Sequence, residues 1–297
     1  MAWRGVHISQ PARLKHRDRQ LVVSQDDGEV SLAIEDIAWL ILDTPQISIT
    51  GSLLSALAES GVAMIVPDAK HHPAGVLLPF HQHYAQAHIA HAQVAISQPL
   101  KKRMWQSLVV AKIANQAELL AILGHERAGT LLAMSGRVGS GGPDNIEAQA
   151  ARVYWSALFD NFVRANEDDR RNSLLNYGYA VVRAAIARAC VASGLLPAFG
   201  LHHASKSNAF NLVDDLIEPF RPNVDRLAHS RANECKSEDL TLDDRRHMAG
   251  ILNDTIMLGR ERLTVLAATE AVATSLVRAI ENSSAALLQL PSFERLH

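Results

Sequence analysis

The feature that most constrains the fold is a change of hydrophobic period between residues 66 and 85. Residues 3 to 66 carry short apolar runs every eight to twelve positions: "GVHIS", "RQLVVSQ", "GEVSLAIE", "IAWLILD", "QISIT" and "GVAMIV". Turn residues separate them, notably the Asp-Gly of "QDDGE" and the stretch "DTPQ", so the pattern predicts short strands joined by tight reversals. One helix is predicted in "SLLSALAES", between Gly51 and Gly61, covering an end of the sheets.

From residue 85 the period becomes helical. "LKKRMWQSLVVAKIANQAELLAIL" sets Leu100, Met104, Leu108, Ile113 and Leu120 along one side, and "NIEAQAARVYWSALFDNFV" and "NYGYAVVRAAIARACVAS" repeat the habit. Thr241, three residues before Asp244, opens "TLDDRRHMAGILN" with a capping pattern. "RERLTVLAATEAVATSLVRAIENS" predicts a long closing helix. The expected fold class is therefore α+β: a small N-terminal β-sandwich-like domain (1–75), a linker (76–84) and a larger all-α domain (85–297). With 297 residues, 48% of them hydrophobic, each domain can bury a core of its own.

The two cysteines, Cys190 and Cys235, are too few for a disulfide framework or a zinc cluster and read as buried thiols in a reducing compartment. The most apolar long segment carries Arg183 and Arg188, which argues against a membrane span and for a cytoplasmic protein. Lys and Arg number 29 against 31 Asp and Glu, so any phosphate-binding surface must be local. The candidates are Lys101, Lys102 and Arg103 with Lys112 along the same segment, then "ARLKHRDRQ", Arg170 with Arg171, and Arg245 with Arg246. A solvated charged face is the plain alternative for each.

The stretch "GLHHASKSNAFNLVDDLIEPFRPNVD" (200–225) holds the chemistry. On a helix, Asp214 and Asp215 lie four and three residues from Glu218, so all can project from one face. Carboxylates gathered there repel unless a cation lies between them. Oxygen donors suit Mg²⁺ or Mn²⁺, and an added imidazole favours Mn²⁺ without excluding Mg²⁺. Spacing alone leaves a metal site and a solvent-facing acidic helix end equally open. Glu147 in "GPDNIEAQAARVYW" follows Asp144 by three residues and has a capping-box role as its plain reading.

Taken together, "MWQSLVVAKIANQA", "NIEAQAARVYW", "LNYGYAVVRA" and the 200–225 stretch resemble the first CRISPR-associated (Cas) protein family, the integrase and endonuclease of spacer acquisition. The "HH" followed by "FNLVDDLIEPFRP" is most similar to the type II form, which accompanies a single large effector nuclease. The resemblance implies a metal triad of Glu147, His203 and Glu218. His203 fits better than His202 because it lies fifteen residues before Glu218, where the family's third ligand falls. That third ligand is Glu here rather than the Asp of many relatives. Asp215, His202, Asn176, Tyr177 and Arg221 are expected to support the site.

The implied reaction is metal-assisted phosphoryl transfer. The 3′-hydroxyl of a captured double-stranded DNA fragment attacks a phosphodiester at a CRISPR repeat; water in its place gives nuclease activity. The implied partners are a second copy of the chain, a small second adaptation subunit bridging two dimers, and the effector nuclease. Limited burial and exposed edges in the small β domain point to the N-terminal domains as the homodimer contact. Two other readings compete. The adjacent "HH" and "DD" suggest a histidine-aspartate phosphohydrolase, which would need more His and Asp than are supplied. A DNA-binding scaffold without catalysis is opposed by the presence of Glu147, His203 and Glu218.

Overall fold

The computed structural model describes all residues except 1–3, 69–72, 80–82, 141–144, 167, 233–238 and 294–297. Asp144, Cys235 and His81 thus lie outside the described residues.

The N-terminal domain is built from β1 (Arg4–Ile8), β2 (Ala12–Arg17), β3 (Gln20–Gln25), β4 (Gly28–Ala33), β5 (Ile37–Leu42), β6 (Ile47–Ile49), α1 (Gly51–Glu59), β7 (Ala63–Pro67) and β8 (Pro73–Leu77). They form two four-stranded sheets, ordered β1-β5-β7-β8 and β4-β3-β2-β6. In the second, β4-β3-β2 is an antiparallel meander and β6 joins β2 in parallel. Val6, Leu14, Leu21, Val23, Leu40 and Leu42 fill the space between the sheets with Leu53 and Leu57 of α1, the predicted helix. Thr50 caps α1 by accepting from the Leu53 N–H. Because β8 pairs with β7 through Leu77, the sheet extends past residue 75 into the expected linker.

The second domain comprises α2 (Gln86–Val94), α3 (Gln98–Ile122), α4 (Ala128–Ser135), α5 (Ile146–Leu158), α6 (Arg170–Ala192), α7 (Asn211–Leu216), α8 (Arg221–Ala232), α9 (Leu242–Ala249) and α10 (Val265–Glu281). The predicted cap on α9 is a full capping box between Thr241 and Asp244. The domain is not purely α. A three-stranded sheet, ordered β10-β9-β11, is formed by β9 (Thr255–Leu258), β10 (Glu261–Thr264) and β11 (Pro291–Ser292). The closing helix therefore starts at Val265, where Thr264 caps it, and not at Arg260: the preceding "RERLT" is a hairpin arm turned at Gly259, whose φ is +63°.

Helix α6 is the spine, buried on nearly every side and packed against α7, α8, α9 and α10. At Gly178 a Cβ would lie 2.5 Å from Val224 and 2.7 Å from Met248, so glycine lets α8 and α9 approach this closely. Cys190 sits on α6, wholly buried, where desolvation pushes its thiol up to about 12. That favours a packing role.

Strand β5 joins the domains. Its run "IAWLIL" is buried throughout: Leu40 and Leu42 enter the β core, Trp39 and Ile41 the helical one. At its end Asp43 accepts from Arg245 Nε of α9 at 2.8 and 2.9 Å, with His7 Nε2 at 3.1 Å. Arg188 of α6 donates to the Gly61 carbonyl at 2.6 Å. Arg245, a candidate for phosphate contact, is thus an internal cation, and so are Arg170, paired with Asp244, and Arg171, paired with Asp169. Arg246 donates to the Ser9 hydroxyl, and Lys15 and Arg17 both pair with Glu29.

Candidate active site

Two carboxylates from distant parts of the chain meet on one ammonium. Lys112, near the middle of α3, places Nζ 2.7 Å from Glu147 Oε1 and 2.6 Å from Glu218 Oε2. Glu147 stands in the first turn of α5 and Glu218 opens the single 3-10 turn after α7, where Pro219 ends regular α-helix. That turn is pinned from below, since Asn115, one turn along α3 from Lys112, donates to the Pro219 carbonyl at 2.8 Å and to Pro291 of β11 at 3.0 Å. The side chains of Lys112, Glu218 and Glu147 are 14%, 7% and 34% exposed. Burial opposes charge on Lys112, but Glu218 and Glu147 outweigh it and raise its pKa. Burial likewise opposes charge on Glu218, and Lys112 with Arg221 overcome it and lower its pKa. Arg221 donates to Glu218 Oε1 at 2.8 Å and lies over the Tyr179 ring, 4.5 Å from its centroid.

Beside this centre the 200–203 loop wraps Asp215. Its wholly buried carboxylate accepts the backbone N–H groups of Leu201 (2.6 Å), His202 (3.1 Å) and His203 (3.1 Å), and the His203 ring Nδ1 lies 2.7 Å from Oδ1. Only glycine fits at 200, where a Cβ would stand 2.3 Å from the His203 carbonyl oxygen and 2.7 Å from Asp215 Oδ2. The contact with Asp215 outweighs burial and raises the His203 pKa, and Glu218 and Asp214 act in the same direction. His202 turns the other way and stacks on Trp105, centroids 4.2 Å apart and planes within 5°.

The three carboxylates of the 214–218 segment therefore diverge. Asp214 accepts from Arg183 Nε at 2.6 Å and Asn208 at 2.6 Å, Asp215 holds the loop, and only Glu218 meets Glu147. Helical spacing predicted one face, but each carboxylate finds its own donors on three different elements. Glu147 serves its helix end less than Lys112: the helix N-cap is Asn145, in left-handed conformation and without a side-chain cap. Lys112 is likewise drawn inward to the carboxylates, away from the expected DNA surface, and Asn115 and Gln116 beside it are buried. Tyr177 also departs from expectation, being buried in the core near Asp43 and Arg245. Asn176 accepts from Arg164 at 2.6 Å and lines an open cleft of about 470 Å³ with Tyr179, Arg183, His203 and Arg221. Lys102 and Arg103 are exposed, whereas Lys101 is half-buried with Nζ 3.5 Å from the Gly200 carbonyl. Lys102, Gln106, Val109 and Trp105 line a second cleft, about 370 Å³, with Glu147 and His202.

Among the described residues, no three His, Cys, Asp or Glu side chains stand close enough together to hold an ion as they are. Tyr179, which "LNYGY" offers with Asn176 and Tyr177 as a lining or bracing residue, does line the first cleft, whereas Trp105 and Arg183 join the site without a motif of their own. Their only signal in the sequence is a polar or aromatic residue on an otherwise apolar helix, which helix packing explains equally well.

The family profile described as "CRISPR associated protein Cas1" matches residues 6–138 and 143–258. The CRISPR-associated endonuclease Cas1 of Neisseria meningitidis serogroup C (strain 8013) is 38% identical over 293 residues, which cover 98% of this chain and 96% of that protein. Among solved structures, a casposase bound to integration product superposes with a TM-score of 0.77 at 18% identity, covering 95% of this chain and 92% of the casposase. A Cas6-RT-Cas1–Cas2 complex gives a TM-score of 0.76 at 16% identity over 99% of this chain, which spans 36% of that longer one. The two structures share the fold. The profile and the Neisseria relative run through both domains and through Lys112, Glu147, His203 and Glu218, and on that evidence the chain belongs to the Cas1 family of CRISPR-associated proteins.

Proposed function

We propose that the chain is a metal-dependent DNA endonuclease and integrase of CRISPR adaptation, working in the cytoplasm and joining the 3′-hydroxyl ends of captured fragments to the repeat of an array. The observation that carries this reading is the convergence of Glu147 and Glu218 on one buried cation, inside a family whose relatives are named as endonucleases. The donor set fits a hard divalent ion, Mg²⁺ or Mn²⁺. Two carboxylates already accept a shared positive charge, and Glu218 Oε2 is buried with no hydrogen bond of favourable geometry. His203 supplies the third donor, its Nδ1 held by Asp215 so that Nε2 is the nitrogen left for a ligand, an arrangement common behind metal-bound imidazoles. A bound ion would stabilise charge on the transferring phosphoryl group and on the leaving oxygen.

The residues divide the remaining work. Arg221 fixes the Glu218 carboxylate, and Asp215 fixes the His203 ring and the loop that carries it. Lys102 and Arg103, exposed along α3 beside the cleft, are the groups for a duplex backbone, with Lys101 as a flanking charge. The partners are double-stranded DNA, a second copy of the chain through the β domain, and a Cas2 subunit bridging two dimers. The effector nuclease is a further one. The likeness to a Cas1 chain solved with Cas2 supports the bridge, and the exposed edge strand β4 with Val30 outward supports the self-association. Among the described residues no helix is long and apolar enough to cross a membrane. The phosphohydrolase reading has lost its residues, because Asp214 and Asp215 are committed to Arg183 and to the loop.

The test combines chemistry and binding. Incubated with Mn²⁺, a short duplex and a supercoiled repeat-bearing plasmid, with the Cas2 subunit present, the protein should give joined products. Glu147→Ala, His203→Ala and Glu218→Ala should each abolish them while duplex affinity measured in chelator stays within about twofold, since phosphate contacts supply most of that affinity. Normal joining by either Glu variant would overturn the site.

A further inference from the structure

The contacts of Lys112 carry more than a structural salt bridge. It reaches Glu147 at 2.7 Å and Glu218 at 2.6 Å, so a single ammonium neutralises the two carboxylates assigned above to the ion. Arg221 takes the other Glu218 oxygen at 2.8 Å, so two carboxylates face two cations and the cluster is already neutral. Adding a divalent ion while Lys112 stays would set like charges side by side in a largely buried site, and the oxygens that face Nζ are the ones an ion would need. One cation has to leave. Arg221 is braced on the Tyr179 ring, whereas Lys112 is a point charge on a flexible stem. Val109 and Gln106, one and two turns earlier on α3, line the cleft that also holds Glu147 and the exposed Lys102.

We propose that Lys112 is a resident cation of the carboxylate site: it holds Glu147 and Glu218 together, competes with the divalent ion for them, and on displacement turns to a phosphate of the bound DNA. The ion thereby enters more readily once a duplex is present to receive the ammonium, and by linkage the duplex binds more tightly once the ion is present. The inference rests on the reading of Glu147 and Glu218 as ion ligands.

The experiment measures Mn²⁺ affinity from the free-ion paramagnetic resonance signal. It uses the full chain, with and without a duplex whose 3′ ends lack the hydroxyl and so cannot react. Without duplex, Lys112→Met should bind Mn²⁺ at least about tenfold more tightly than the parent, because two charge-assisted contacts no longer have to be broken. Lys112→Arg, whose fork grips carboxylates more firmly, should bind it more weakly than the parent. The gain in Mn²⁺ affinity on adding duplex should be present in the parent and absent in Lys112→Met. In chelator Lys112→Met should melt below the parent, and Mn²⁺ should restore it.

Lys112→Met affinity equal to or below that of the parent would overturn the proposal. So would a loss of folding that Mn²⁺ does not repair, because Lys112 would then be holding structure and not the place of the ion. Glu147→Gln separates the two levels. If it binds Mn²⁺ as the parent does, the carboxylate site itself is wrong; if it loses Mn²⁺ while Lys112→Met gains nothing, only the role of Lys112 fails.

Discussion

Asp215 holds His203 twice, accepting its backbone N–H at 3.1 Å and meeting its ring Nδ1 at 2.7 Å. The neighbouring His202 lies flat on Trp105 and shares only the backbone contact. The two histidines should therefore respond differently to substitution. His203→Ala should abolish strand joining, whereas His202→Ala should lower it by less than about tenfold. Asp215→Asn, which leaves the ring in place but removes the charge that orients it, should cost about 10- to 100-fold in joining. Quantified gel assays on the three variants decide it, and a dead His202 variant beside an active His203 variant would reverse the assignment.

The Asp43–Arg245 pair ties the β domain to α9 and is buried on both sides. Burial opposes charge on Asp43, but hydrogen bonds from His7 and Arg245 outweigh it and lower its pKa. Asp43→Ala should destabilise the chain by about 3–5 kcal/mol, because it leaves the Arg245 charge buried without its carboxylate. Arg245→Ala should cost a similar amount and the double variant much less than their sum, a coupling read from urea unfolding of all four proteins.

Much of this architecture is legible in the sequence, because alternating runs and helical stripes each bury one face against one core. The two-sheet β domain and the burial face of α3, from Leu100 to Leu120, follow from local period. The Thr241–Asp244 capping box is equally local. The strand at Glu261–Thr264 is not, since its pairing with β9 overrides a helix-like composition. Site geometry escapes the sequence for the same reason. Which carboxylate meets which cation is set by long-range docking, so Lys112 reads as one more basic residue until α5 and the Glu218 turn are placed against it.

Lys102 and Arg103 are exposed, whereas Lys112, Arg170 and Arg245 are held in internal pairs. The Lys102→Ala/Arg103→Ala double variant should weaken duplex binding about equally for all sequences and reduce the slope of log affinity against log salt by about 2. Joining with saturating DNA should persist. Fluorescence anisotropy titrations between low and moderate salt give the slope; an unchanged slope would move the DNA path off this face of α3.

Asp225 gives the fold a pH dependence separate from the chemistry. It is wholly buried on α8, accepts from Tyr154 at 2.7 Å and from Tyr179, and desolvation raises its carboxyl to about 6 against the tyrosine hydrogen bonds that favour the anion. A carboxyl whose folded pKa lies above its unfolded value of about 3.9 binds its proton more tightly in the folded state. The folded state thus gains stability below the unfolded value and loses it as pH rises through about 6. The loss amounts to about 2–3 kcal/mol. Asp225→Asn keeps a neutral side chain of the same shape, so it should flatten the dependence between pH 4 and 7, and the parent should lose its advantage over the variant across that window. Urea midpoints for both proteins at half-unit pH steps give the comparison. Parallel curves would show that Asp225 titrates in the fold as it does in the unfolded chain.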